Sequence, residues 1–340
     1  MAVVLALLGT AAPVAADPVH PPDVIVDTDM SFDDVAALSY LAEEASRRLV
    51  TIDAVTVSTA GIAYPGRGLG HARCLLTRLG LDVPTSDGDL PARYPVPDAV
   101  RGPSDQLVAD ALGDCPSARP EGGAADLLVS ALLAAPGEVQ LILLGPLTDL
   151  VEALQRNPAV ADKIGGVVLM GGSTTHGNLD WDPAFDGSQE FNIWADAPAA
   201  QAAFTALSGR IALTPLNATD SVPVTASFRD RLAGDRETVA AEIVYRIAAD
   251  LSTGGGSTPL YWWDPLAVVA ATVDGVETFA PAQLRVVQGG RADGRTEACS
   301  AGATVWFGVA AATDRFEDAF IDGLNGRFDG RRRGQPGATS

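Results

Sequence analysis

Four aspartates crowd one short stretch of this chain. Asp27, Asp29, Asp33 and Asp34 fall within eight residues of Val24-Ile25-Val26-Asp27-Thr28-Asp29-Met30-Ser31-Phe32-Asp33-Asp34. The apolar run before them reads as a buried strand, whose period of two puts Asp27 and Asp29 on one face. Asp33 and Asp34 open the following helix, where the macrodipole favours anions. An N-cap role accounts for Asp33 alone, not for all four. Carboxylates packed this closely raise each other's pKa unless a cation or shared protons relieve them. No lysine lies nearby, since Lys163 is the chain's only one. Oxygen donors without His or Cys select a hard cation such as Ca²⁺ or Mg²⁺.

The elements that must position these acids alternate along the chain. Asp23 to Asp29, Leu49 to Thr59, Val139 to Leu144, Val167 to Met170 and Ile211 to Leu216 read as strands. Asp33 to Arg48, Gly70 to Leu79, Ala124 to Ala134, Leu147 to Arg156 and Pro198 to Leu207 read as helices between them. Strands that are apolar throughout, separated by helices, predict a single α/β domain: an open, mostly parallel sheet with helices on both faces and a Rossmann-like core. In such sheets ligands bind at the carboxyl ends of the strands, where the aspartates lie. Ser221 to Leu260 reads as mostly helical, ending in the flexible Thr253-Gly254-Gly255-Gly256. Gln283 to Val287 and Val305 to Ala310 read as late strands that suit antiparallel pairing, before a helix from Phe316 to Leu324.

Composition narrows the function. The chain has 340 residues, 47% of them hydrophobic, and 43 acids against 23 bases give a formal net charge of −20. Such a polyanion is repelled by nucleic acid and by anionic lipid. The one basic run, Arg331-Arg332-Arg333, lies in a Gly-rich tail. No nucleic-acid or membrane partner is expected. Val3 to Leu8 followed by Val14-Ala15-Ala16 reads as an export signal cleaved before Asp17, although a basic n-region is missing. The expected division is a signal at 1–16, a leader at 17–22, the domain at 23–328 and a flexible tail at 329–340. That places the protein in a secreted or periplasmic setting, or in the cytoplasm if the segment is not a signal. Of three cysteines, Cys74 reads as a buried small hydrophobe, while Cys115 and Cys299 sit in loop-like sequence and are free to pair in an oxidising compartment.

Two families place such acids after a first strand. Haloacid-dehalogenase-like phosphatases also need a later Lys and a terminal acidic pair, and only Lys163 is present. Nucleoside hydrolases carry DxDxxxDD, met here by Asp27, Asp29, Asp33 and Asp34. Further landmarks of that family follow in order: Leu144-Gly145-Pro146-Leu147-Thr148-Asp149, Val168-Leu169-Met170-Gly171-Gly172, Gly177-Asn178, Glu190-Phe191-Asn192 and Trp263-Asp264-Pro265-Leu266. The chain therefore resembles the nucleoside hydrolases from about Asp23 to Leu324. It looks most like their purine-specific inosine–adenosine–guanosine branch. That branch carries Trp before the late aspartate, where the inosine–uridine branch carries a His that protonates the leaving base.

The resemblance implies a Ca²⁺-dependent hydrolysis of the N-glycosidic bond of ribonucleosides, purines above all, releasing base and ribose. It assigns Ca²⁺ to Asp29, Asp34, the Leu144 carbonyl and Asp264, with Asp29 also the general base and Asp27 orienting the ligands from behind. It places Asp33 and Asn192 on the ribose hydroxyls, Asn178 and Glu190 at the 5′ end, and Trp263 against the base. Tyr94 falls in the loop where the purine branch has a second stacking Trp. It also implies a dimer or tetramer. Three departures stand out: Ser31 replaces a Gly or Asn, Ile62 lies near an expected Asn or Asp, and Tyr94 replaces Trp. They bear on base recognition and leave open a hydrolase of pyrimidine or modified ribosides. A secreted nucleoside- or ribose-binding protein without catalysis is the non-enzyme alternative, and a phosphatase the weaker enzyme one. His176, in a polar loop, reads equally as a general acid or as a residue with no role.

Overall fold

The computed structural model describes residues 21–94, 96–179, 181–253 and 259–328. The signal, most of the leader, the tail and Gly254 to Gly256 lie outside the described residues. In chain order the elements begin with β1 (Asp23–Thr28), α1 (Phe32–Ser46), β2 (Thr51–Val57), α2 (Arg67–Arg78), β3 (Thr85–Asp87) and α3 (Asp98–Leu112). Next come α4 (Ala124–Ala134), β4 (Val139–Leu143), α5 (Thr148–Arg156), β5 (Ile164–Met170), α6 (Phe191–Ala195), α7 (Ala197–Ala206) and β6 (Ile211–Thr214). The last group is α8 (Leu216–Thr219), α9 (Ala226–Ala233), α10 (Val239–Thr253), α11 (Trp263–Thr272), β7 (Glu277–Val286), β8 (Thr296–Ala298), β9 (Ala303–Ala311) and α12 (Thr313–Leu324).

The strands form one sheet in the order β3-β2-β1-β4-β5-β6-β9-β7-β8. From β3 through to β9 every neighbouring pair is parallel. β7 pairs antiparallel with β9 and with β8. The expected mostly parallel sheet with a late antiparallel edge is what forms. Strand β1 shows why it is buried on both faces. Val24 and Val26 join a core with α1 and α10 to α12, whereas Ile25 joins a second core with α4, α5 and α7. Strand order reverses between β1 and β4, which opens a crevice at their carboxyl ends. The aspartate segment follows β1 and Leu144 follows β4, so both empty into that crevice.

Several elements were not legible in the sequence: β3, α3, α6, α8, α11 and β8. β3 is three residues long, and α3 contains Gly102 and Pro103, both poor helix residues. Pro103 lies inside the helix, past the first turn, so the i→i−4 bond to Ala99 O is missing there.

The cysteine pairing also differs from expectation. Cys74 on α2 is bonded to Cys115 just past α3, with Cα atoms 5.6 Å apart, and Cys299 is the free thiol. Helices α2 and α3 pack side by side and bring the first two together. Cys299 follows β8, on the strand at the far edge of the sheet. Thiol labelling of the untreated chain should find Cys299 alone, and all three cysteines after reduction. Cys115→Ser should lower stability by about 2–4 kcal/mol, read from the denaturant midpoint; labelling of Cys74 without reductant would contradict the bridge.

Candidate active site

Helices α1 and α11 aim their N-termini at the same point. Asp33 and Asp34 lie in the first turn of α1, and Asp264 in the first turn of α11. One oxygen from each of these three carboxylates lies within 4.8 Å of the others, and all three residues are buried. The loop that delivers them is tightly specified. Asp34 Oδ1 accepts from the Thr28 hydroxyl and from Asp29 N at 3.1 Å, and its Oδ2 accepts from Ser31 N at 2.9 Å. Met30 adopts φ 56°, a left-handed conformation unusual outside glycine. Such backbone strain is concentrated at functional sites.

Asp29 sits beside this trio rather than within its closest grouping. Its Oδ2 accepts from Ile62 N at 3.0 Å. Asp27 lies beneath, 1% exposed, with Oδ1 accepting from the Thr56 hydroxyl at 2.7 Å and Oδ2 buried without a partner.

Burial dominates the electrostatics. Burial, with the Asp29 charge adding to it, raises Asp27 and Asp33 from 3.8 to about 7. Burial raises Asp34 and Asp264 well above the carboxylate range, with neighbouring aspartates adding to it. Asp29 is raised by burial too, opposed by the Ile62 N–H, other hydrogen bonds and the Arg101 charge. A carboxyl moved from 3.8 to about 7 prefers its neutral form by roughly 4 kcal/mol. Each helix N-terminus returns only about 0.3–1 kcal/mol to a nearby anion. The helix ends therefore cannot hold the cluster ionised. A divalent cation bound by oxygen ligands fits this donor set, and Asp27 Oδ2 is the orphaned buried atom such a charge would relieve.

A cavity of about 1480 Å³ opens over the cluster. Asp29, Asp33, Asp34, Leu144, Asn178, Glu190, Asn192, Trp263 and Asp264 all line it, so the structure brings together every predicted site residue except Asp27 and Tyr94. Several polar groups there are already engaged. Asn192 Nδ2 donates to Leu144 O at 3.0 Å and to Met170 O at 3.3 Å. Glu190 caps α6, accepting from the N–H groups of Asn192, Ile193 and Gly172. Asn178 Oδ1 accepts from Phe191 N at 2.9 Å. Glu190 is a buried brace, not a solvated acid.

On the apolar side, Trp263 packs against Phe32 at 6.0 Å and Tyr261 at 5.7 Å while facing the cavity. Its neighbour Trp262 is the core residue, 0% exposed. Tyr94 is the correction. It does not line the cavity; its ring stacks on Trp194 at 5.5 Å and meets Phe185 at 4.9 Å, and its hydroxyl donates to Asp293. Trp181, Phe185 and Phe191 reach the cavity from this side instead, and sequence reasoning gave none of them a base-binding role. Trp181 lies between Asn178 and Glu190, inside a stretch with no periodic pattern to flag it. His176 also lines the cavity, its Nε2 2.9 Å from Asp220 Oδ2.

The mostly parallel sheet thus places buried carboxylates at its switch point, beside an aromatic-walled cavity. Residues 24–318 match the family described as inosine-uridine preferring nucleoside hydrolase, and the chain belongs to that family. It is 29% identical over 294 residues to "Probable uridine nucleosidase 2" of Arabidopsis thaliana, covering 80% of this chain and 84% of that one. It is 31% identical over 258 residues to the pyrimidine-specific ribonucleoside hydrolase RihA of Salmonella paratyphi B, covering 72% and 78%. The fold matches the inosine-uridine preferring nucleoside hydrolase of Bacillus anthracis with a TM-score of 0.77 at 24% identity, covering 90% of this chain and 99% of that one. The protein is an N-ribohydrolase of a metal-dependent family that acts on nucleosides.

The pKa shifts give a sign that can be checked. Asp27 and Asp33 favour the fold when neutral, a contribution complete below pH 3.8 and lost as pH rises through about 7. The melting temperature of chelator-treated protein should therefore fall between pH 4 and about pH 8. A divalent cation should restore it, and more strongly at the upper end, because the ligands must be deprotonated to bind. A melting temperature indifferent to the cation at all pH values would contradict the site.

Proposed function

We propose that this chain is a Ca²⁺-dependent ribonucleoside hydrolase that prefers purines and works outside the cytoplasm. The observation that carries the reading is the convergence of Asp33, Asp34 and Asp264 within 4.8 Å under a cavity whose side wall is Trp263. Asp29, Asp34, Asp264 and the Leu144 carbonyl would hold the ion, with Asp33 close enough to share that task. The bound cation would lower the pKa of a water and anchor ribose oxygens.

The chain's own groups do the rest. Asp29, fixed through Oδ2 by the Ile62 N–H, takes a proton from the attacking water. Asp33 and Asn192 hold the ribose 2′- and 3′-hydroxyls as the sugar becomes oxocarbenium-like and the C1′–N bond breaks. Asn178 and the braced Glu190 shape the 5′ end. Trp263 stacks on the base, and its broad face suits a bicyclic base. His176 is the one imidazole lining the cavity among the described residues, and so a proton source for the departing base. The Cys74–Cys115 bridge supports an oxidising compartment, in keeping with the export signal read in the sequence.

The names of the Arabidopsis and Salmonella relatives favour a second reading, in which pyrimidine ribosides are the better substrates. A panel of nucleosides assayed by reducing-sugar release separates the two. Inosine and guanosine should turn over faster than uridine, and 2′-deoxyribosides should be poor. Asp29→Asn should lower turnover by at least about 10²–10⁴-fold. Trp263→Ala should cost about tenfold on purines and much less on uridine. Faster turnover of uridine by the unmutated enzyme would establish the second reading.

A further inference from the structure

Helix α3 meets the site twice. Ala99, Val100, Pro103 and Ser104 line the cavity, and Ser104 Oγ lies 3.0 Å from Ser31 Oγ in the aspartate loop. Arg101, on the same helix, reaches instead into the segment that follows β2. Its Nε and Nη2 both donate to Gly61 O, at 3.0 and 2.6 Å, and Nη2 also donates to Thr59 O at 2.9 Å. The guanidinium lies 5.3 Å from the Tyr64 ring centroid, and the Tyr64 hydroxyl donates to Asp98 Oδ1 at 2.9 Å, which braces the arrangement from the start of α3.

The segment so held is pressed against Asp29. A Cβ on Gly61 would lie 2.0 Å from Asp29 Oδ2, so only glycine fits there. The next residue supplies the Ile62 N–H that Asp29 Oδ2 accepts at 3.0 Å. Rotation of the Gly61–Ile62 peptide would move that N–H, and the Arg101 fork on the Gly61 carbonyl opposes such rotation. We propose that Arg101 is a positioning residue for Asp29: it clamps the Thr59 and Gly61 carbonyls, fixes the peptide that orients the carboxylate, and couples that carboxylate to the helix forming the substrate wall. The inference rests on reading Asp29 as the general base. The planar fork matters, because a single ammonium on a flexible stem cannot reproduce it. Displacement of a reacting group by about 1 Å can cost 10²-fold in rate.

The test is a double-mutant cycle on the full chain loaded with cation. The rates needed are kcat and KM for the wild type, Arg101→Ala, Arg101→Lys, Asp29→Asn and the pair Arg101→Ala with Asp29→Asn. Arg101→Ala should lower kcat by about ten- to a hundredfold with KM changed less than about threefold. Arg101→Lys should recover little of the loss. The double variant should be no slower than Asp29→Asn alone, because Arg101 acts only through that carboxylate. Arg101→Ala within about twofold of wild type would overturn the inference. So would a double variant slowed by the full additional Arg101 factor, which marks general structural damage. If Asp29→Asn keeps more than about a tenth of wild-type turnover, the reading of Asp29 itself fails and takes the inference with it.

Discussion

The carboxylates of Asp33, Asp34 and Asp264 converge where water barely reaches, and the rest of the site answers their mutual repulsion. Two helix N-termini face the cluster, one backbone N–H holds each oxygen of Asp34, and Asp27 is pinned beneath by Thr56. These contacts fix where the oxygens sit without neutralising them. Burial favours the protonated carboxyls here, and a hard cation bound by oxygen donors would replace those protons.

The sheet makes this possible at modest cost. At the β1/β4 switch point, the chain leaves two neighbouring strands in opposite directions, so a crevice forms without disturbing the ladder. Asp34 ties the aspartate loop to the start of α1, Asn192 Nδ2 donates to the Leu144 carbonyl, and Glu190 links the α6 turn to Gly172 beyond β5. The substrate wall has a different origin. It is assembled from α3, the Asn178–Asn192 stretch and Trp263, which come from distant parts of the chain and meet only when the domain is folded.

That difference decides what was legible in the sequence. The strands and the aspartate cluster are local signals: apolar runs of the right length, then acids whose spacing no structural role explains. Trp263 and Asp264 were picked out through family resemblance, and both line the cavity. Features set by tertiary packing were not legible. Tyr94 occupies the right loop but is drawn away by a stacking partner, Trp194, and a hydrogen bond to Asp293. Cys74 and Cys115 face each other because two helices pack side by side, which spacing alone does not reveal. Arg101 lay in a stretch whose Gly102 and Pro103 hid the helix that carries it.

The central claim is that the aspartate cluster binds one hard cation whose charge replaces the protons forced onto it by burial. Calorimetric titration of chelator-stripped protein with Ca²⁺ at about pH 7, repeated in buffers of different ionisation enthalpy, measures stoichiometry and proton release together. The account predicts one ion per chain, a net release of protons on binding, and loss of the binding isotherm in Asp264→Asn. Binding without proton release, or an isotherm unchanged by Asp264→Asn, would contradict it.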